Sequence, residues 1–329
     1  MKSIITYLVL VIMMFSCAEK QEIHDQVVDR MSQGLMQDSL LEYQEYINQQ
    51  YQVFAMPLPN NLTFAGEEVP LHDLFVRENL DREILVNTYW HSNTFLFQKR
   101  ANRWFPMIEK ILAKNNMPDD FKYLALVESG LDNVRSPAGA AGFWQILKGT
   151  AREHGLEVNS AIDERYNLEK STQVACEYLN DAYAKFGSWT MAAASYNMGK
   201  NGARRRIAEQ GTNNYYNLHL NSETGRYVFR IIAVKDIMKN PKKYGFMFRA
   251  KDLYTMPDYK TIEVDSTIAN LSSFAISNGI NYKLLKQFNP WLRTSSLPDK
   301  SRKKYFLKIP TNTDLLVFDD LETQSYSEE

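Results

Sequence analysis

Apolar residues recur at helical spacing through the middle of this chain. Leu168, Ala175, Leu179, Ala182 and Phe186 step by 7, 4, 3 and 4, which is one face of an amphipathic helix. Phe95, Trp104, Phe105, Ile108, Ile111 and Leu112 mark a helix-pair region, and Ile231, Val234 and Met238 a further helix. Helix is therefore expected from Leu71 to about Tyr244. After Met256-Pro257 the texture changes: Lys260 to Val264 reads as a strand, Ile268 to Asn278 and Tyr282 to Asn289 as short helices, and Lys304 to Ile309 as a second strand. One helix breaks its own pattern. Pro118-Asp119-Asp120 opens it, and Phe121, Leu124, Ala125 and Glu128 then fall at i, i+3, i+4 and i+7. A carboxylate thus lies on the core-facing stripe, just before the helix-ending Gly130, at the negative end of the helix dipole. Burial and the dipole both disfavour its ionised form and push its pKa upward. Two readings follow: a general acid, or a core-edge glutamate paired with an arginine such as Arg135.

Composition narrows the chemistry. At 329 residues the chain allows about two domains of roughly 150 residues, and 44% hydrophobic with 23% charged residues is ordinary for a globular core. Thirty-eight Lys+Arg against thirty-nine Asp+Glu leave a charge of −1, which removes the main electrostatic argument for nucleic-acid binding. Two cysteines and five scattered histidines offer no metal-ligand spacing, so no metal and no cofactor are expected. Cys176, beside the Leu168 stripe, reads as a buried structural thiol.

The N-terminus carries a different signal. Lys2 precedes an apolar run from Ile4 to Phe15, and Ser16-Cys17 follows. Twelve residues make about 18 Å of helix, short of the roughly 30 Å hydrocarbon core, so a signal peptide fits better than a spanning helix. Residues 18 to about 70 are polar, glutamine-rich and end among prolines, which reads as a tether.

Three further segments accompany Glu128. Ser136-Pro137-Ala138-Gly139-Ala140-Ala141-Gly142-Phe143-Trp144-Gln145 is a small-residue turn feeding aromatics and an amide. Trp189, Ala192, Ala193 and Tyr196 share a helix face that ends in Asn197 and Gly199, and Glu223-Thr224-Gly225-Arg226-Tyr227 opens the helix carrying Ile231. In this order they resemble the catalytic domain of the family 1 lytic transglycosylases, related to goose-type lysozyme. Glu128-Ser129 stands at the catalytic glutamate motif, Gly142 to Gln145 at the second, Ala194 to Asn197 at the third, and Glu223 with Tyr227 at the fourth. Met198 and Ser195 depart from the usual small residue and alanine. Met14 to Cys17 likewise resembles a lipoprotein lipobox, and the β-α-α-β pattern resembles a peptidoglycan-binding LysM module, with Asp265-Ser266-Thr267 in place of its Gly-Asp-Thr start. An ordinary signal peptide and a helical appendage are the alternatives to these two.

The resemblances imply a mainly α protein: a lipoprotein signal peptide at 1–16, a lipid-anchored tether at 17–70, a lysozyme-like α-helical catalytic domain at 71–250, a LysM-like module at 258–315 and an acidic flexible tail at 316–329. They imply peptidoglycan glycan strands as substrate and a membrane partner reached through lipid on Cys17, in a Gram-negative envelope, at the outer membrane facing the periplasm. Glu128 would be the catalytic residue. Ser129, Ser136, Gln145, Tyr196, Asn197, Glu223 and Tyr227 would bind and orient the saccharide. A lysozyme-like hydrolase and a non-catalytic wall-binding lipoprotein remain as competing readings.

Overall fold

Backbone packing in the computed structural model divides the chain into two units, Met1–Ala55 and Met56–Glu329. Residues 53–298 and 303–311 are described. The expected signal peptide, Cys17, most of the tether and the acidic tail lie outside them. Of the first unit only residues 53–55 are described, and all three are exposed. The second unit begins with a short hairpin, β1 (Thr63–Phe64) and β2 (Glu67–Glu68), turned by Ala65 and Gly66, both at positive φ. Two successive residues at positive φ form the turn whose twist matches paired antiparallel strands.

This hairpin corrects the expected tether, which was drawn to residue 70. Phe64 is fully buried and packs edge-on against Phe121 at 5.4 Å between ring centroids. Asp120 accepts Ala65 N at 2.7 Å and Lys235 Nζ at 2.5 Å, and that ammonium also reaches Thr63 O at 2.7 Å. Glu67 accepts Trp189 N at 2.6 Å and Thr190 N at 2.9 Å, so it caps a helix far along the chain. A polar composition concealed the attachment because two carboxylates and one phenyl ring make it. Asp120, part of the expected helix start, stands at the N-cap without a cap bond, its carboxylate being spent on this clasp.

Helix α1 (Leu74–Tyr89) is capped by Asp73, whose side chain accepts Phe75 N and Val76 N. The expected helix pair upstream is one helix, α2 (His91–Lys114), running through Pro106 and burying Phe97, Ala101, Ile108 and Leu112. Proline costs an internal hydrogen bond, and the apolar stripe on both sides of it holds the helix together. Helix α3 (Phe121–Ser129) ends at Gly130 in the left-handed conformation. Then follow α4 (Lys148–Glu153), α5 (Leu168–Phe186), α6 (Trp189–Met198), α7 (Lys200–Gln210) and α8 (Ser222–Lys239). Leu168, Ala175, Leu179, Ala182 and Phe186 are all buried, and Cys176 among them is a free thiol whose pKa burial pushes up to about 12.

The chain after α8 is tied along α2, where Lys99, Asn102 and Arg103 donate to the carbonyls of Asp252, Tyr254 and Thr255. The C-terminal module is β3 (Tyr259–Val264), α9 (Leu271–Ser277), α10 (Tyr282–Phe288) and β4 (Tyr305–Pro310), with the strands antiparallel and Tyr259 opposite Pro310. Asn289 is fully buried and exchanges two hydrogen bonds with the Lys308 backbone, which fixes the turn after α10 to the sheet. Its core of Leu271, Leu285, Leu292, Leu307 and Ile309 is continuous with Ala141, Ile162 and Tyr166 of the helical body. Asp163 N donates to Trp291 O at 2.9 Å and Arg293 N to Ala161 O at 2.8 Å, so the module joins the turn region through backbone pairing. No helix of the described residues is long and apolar enough to cross a membrane.

The clasp is testable by truncation of one ring. Phe64→Ala is expected to cost about 3–5 kcal/mol of unfolding free energy, measured by urea denaturation. The same change at Phe75, which is 70% exposed, should cost a small fraction of that.

Candidate active site

Glu128 occupies the last turn of α3, where the left-handed Gly130 stops the helix and turns the chain back over its end. The rest of the apolar stripe does what the spacing predicts: Phe121, Leu124 and Ala125 are fully buried. The Glu128 carboxyl forms no ion pair among the described residues, and Arg135 is exposed. What meets it is the Tyr227 hydroxyl, which donates a short hydrogen bond to Glu128 Oε1. Tyr227 is itself buried. Desolvation is the largest influence and raises the Glu128 pKa; the Tyr227 hydrogen bond opposes it, the Glu223 charge adds to it, and the Arg230 charge lowers it. The balance is about 7, so the carboxyl is substantially protonated near neutrality. Burial together with the Glu128 charge holds Tyr227 and Tyr196 well above the ordinary phenol range, so both stay donors.

Each of the remaining site residues has a definite place. The Ser129 hydroxyl donates to Phe143 O at 2.8 Å and Ala125 O at 3.2 Å, stitching the end of α3 to the turn. Ser136 Oγ accepts Ala140 N at 3.1 Å inside that turn. Gln145 sits at positive φ and its amide nitrogen donates to the carbonyls of Gly142 and Val134, while its amide oxygen makes no hydrogen bond among the described residues. Non-glycine residues held in that region carry strain and concentrate at functional sites. Tyr196 OH donates to Trp144 O at 2.6 Å, and Trp144 itself is fully buried with its indole nitrogen on Thr172. At the mouth, Asn197 donates to Glu223 at 3.2 Å and accepts from Thr224 Oγ1 at 2.8 Å, which ties the end of α6 to the start of α8.

Sequence reasoning missed what holds the turn. Arg165 is buried, pairs with Asp163 through both Nε and Nη2, and donates from Nη1 to Gly139 O and Ile146 O. Its own carbonyl oxygen lies 2.1 Å from where a Cβ on Gly142 would stand. No periodicity marks such a residue; an arginine next to a helix-capping Asp163 was the only available hint. Arg204-Arg205-Arg206, by contrast, is an exposed run, with Arg205 and Arg206 paired to Glu209.

The sequence of the same span is similar to known proteins. The family model described as the transglycosylase SLT domain matches residues 105–219, and the soluble lytic transglycosylase C-terminal LysM-like domain matches residues 260–313. The chain contains an SLT domain followed by a LysM-like domain. Membrane-bound lytic murein transglycosylase D of Escherichia coli K12 is 30% identical over 244 residues, as is the same protein of Escherichia coli O6:H1. That alignment takes in 71% of this chain and 52% of the relative, so the chain spans about half the length of the curated relatives it matches. A solved structure of an inactive mutant of lytic transglycosylase Slt from Pseudomonas aeruginosa overlaps 46% of this chain and 26% of its own, at 17% identity and a TM-score of 0.33. Glu128 and the Gly142 turn fall inside the SLT match, and Tyr227 and Glu223 lie just beyond its end.

Gly142 gives the sharpest test of the turn. Gly142→Ala forces Cβ into the Arg165 carbonyl at a positive-φ position. It should lower stability by about 2 kcal/mol or more in thermal unfolding. Gly139→Ala, whose added Cβ would meet only a flexible guanidinium end at 3.9 Å, should cost less.

Proposed function

We propose that this protein is a peptidoglycan lytic transglycosylase, cleaving the β-1,4 bond between N-acetylmuramic acid and N-acetylglucosamine without adding water. The observation that carries the reading is a single carboxyl, Glu128, that accepts the hydrogen bond of a buried tyrosine hydroxyl and whose pKa burial raises to about 7. The SLT match across the segment that holds Glu128 supports it, and so does the likeness to membrane-bound lytic murein transglycosylase D.

The chemistry proceeds in two proton movements. Glu128 donates its proton to the glycosidic oxygen as the bond to C1 of the muramic acid breaks. The carboxylate left behind accepts the proton of that sugar's C6 hydroxyl as O6 bonds to C1, closing a 1,6-anhydro ring and returning Glu128 to its starting state. An internal nucleophile with an effective molarity reaching roughly 10⁵ M needs no separately activated water. Tyr227 orients the carboxyl and steadies it when it is charged. Glu223 and Asn197 line the mouth with polar groups, and Tyr196, Gln145, Ser129 and Ser136 complete the saccharide cleft. With the apolar N-terminal run ending at Cys17, the enzyme is anchored by lipid in a Gram-negative envelope, outer membrane facing the periplasm, and its LysM-like domain holds the glycan strand.

Glu128→Gln keeps the shape and the hydrogen-bond acceptor but has no proton to give, and is expected to lose on the order of 10²–10⁴ in rate on purified sacculi. The wild-type rate should fall as pH rises through about 7, because the acid must be protonated at the start of each turnover. Mass spectrometry of the digest should find anhydromuropeptides, each lighter by one water than its hydrolytic counterpart. Reducing ends instead would make the protein a lysozyme-like hydrolase, and undiminished lysis by Glu128→Gln would remove the catalytic assignment.

A further inference from the structure

Helix α8 has a second face that the catalytic reading leaves unused. Tyr227 and Glu223, four residues apart, serve the site; Arg226 and Arg230, also four apart, stand one position round the helix and meet α1. There they find Glu83, a carboxyl on the buried helix face that also carries Val76, Leu80, Ile84, Asn87 and Thr88. Glu83 is fully buried, and it accepts Arg226 Nε at 2.7 Å, Arg82 Nη1 at 2.5 Å and Arg230 Nε at 3.4 Å. The arginine side chains are 29%, 47% and 34% exposed, so they roof the carboxyl from the solvent side.

One guanidinium would neutralise a buried carboxylate; three is more than pairing requires. Arg230 shows what the excess is for. Its charge acts on Glu128, where it favours the ionised form, and on Tyr227 as well. Left free to settle on Glu128, it would strip the acid of its proton. The ionisable groups acting on Glu128 among the described residues are Tyr227, Glu223 and Arg230 of α8, together with Tyr196 of α6 in mutual interaction with it. Those around Glu83 are Arg82 of its own helix, Arg226 and Arg230 of α8, and Tyr215 from the turn before α8. Arg230 is the one cation shared between the two sets.

We propose that Glu83 is a positioning residue for the proton donor: by clamping Arg226 and Arg230 it sets the rotation of α8 that delivers Tyr227 to Glu128, and it keeps the Arg230 charge engaged on the α1 side. The assignment rests on Glu128 being the acid. A residue that merely stabilises the fold would scale the rate equally at every pH. A clamp on Arg230 moves the pH profile.

The test compares the full-length wild type with Glu83→Gln and Arg230→Met on purified sacculi across pH, with folding checked by circular dichroism. In Glu83→Gln the alkaline limb should move to lower pH by about half a unit or more, since Arg230, whose charge favours the ionised acid, loses the carboxylate that holds it on the α1 side. In Arg230→Met the limb should move to higher pH. An unmoved limb in either variant, or a shift of the opposite sign, overturns the proposal. Should Glu83→Gln fail to fold, Glu83→Asp takes its place, since the shorter carboxylate keeps the charge but cannot reach Arg230: a limb moved to lower pH supports the clamp, and an unmoved or raised limb overturns it. Glu128→Gln assayed beside them separates the two claims. Full activity there overturns the acid assignment and the clamp with it, whereas an inactive Glu128→Gln with unmoved limbs overturns the clamp only.

Discussion

A carboxyl group at the C-terminal end of a buried helix cannot easily be charged. It has lost water, and the helix carbonyls point their negative ends toward it. A cation paired directly with it would resolve the conflict by ionising it, and among the described residues none makes an ion pair with Glu128; it receives a neutral phenol that donates to it in either protonation state. That choice fixes much else. Tyr227 must arrive from another helix at hydrogen-bond distance, α8 must therefore be held in rotation and depth, and the turn over the end of α3 must close the site without filling it.

The tertiary polar contacts of the body serve those requirements. Lys235 of α8 is tied to Asp120 at the start of α3, so the helix carrying Tyr227 and the helix carrying Glu128 are joined at the far end from the site. The same Asp120 takes the hairpin amide of Ala65, and Glu67 from that hairpin starts α6, which brings Tyr196 and Asn197 to the cleft. On the other side Arg165 and Asp163 hold the Gly142 turn, and the Asp163 amide continues into the C-terminal module through Trp291. The module is thus fastened to the turn that accepts the Ser129 hydroxyl at the end of α3. Buried ion pairs of this kind contribute little net stability compared with apolar replacements; their value lies in direction, because each admits one geometry.

The parts legible in the sequence were those with a local period or a local irregularity. Glu128 stood out because it broke an apolar stripe, and the glycine behind it gave the end of the helix. The module could be read from two strand patterns around two short helices, whereas the register that sets Tyr259 opposite Pro310 could not. The hairpin was missed because a two-residue strand has no period, and its single buried side chain, Phe64, lies in a polar stretch that reads as tether. Its anchors are 55 and 122 residues away along the chain. Arg165 and Glu83 were missed for the same reason: each is a charged residue whose burial is decided by partners remote in sequence. The helix pair expected in one stretch is the single helix α2, which runs through Pro106 because Ile108 and Leu112 beyond it keep the helix packed.

The account stands on the state of one proton, and a carbon NMR titration of the Glu128 carboxyl in the unliganded protein reads it directly, with the resonance assigned by its loss in Glu128→Gln. A midpoint near 7 is expected, set by burial against the tyrosine hydrogen bond. A midpoint near the ordinary value of 4.5 would mean that the carboxyl is already ionised when substrate arrives, and would contradict the claim that the fold stores the proton there.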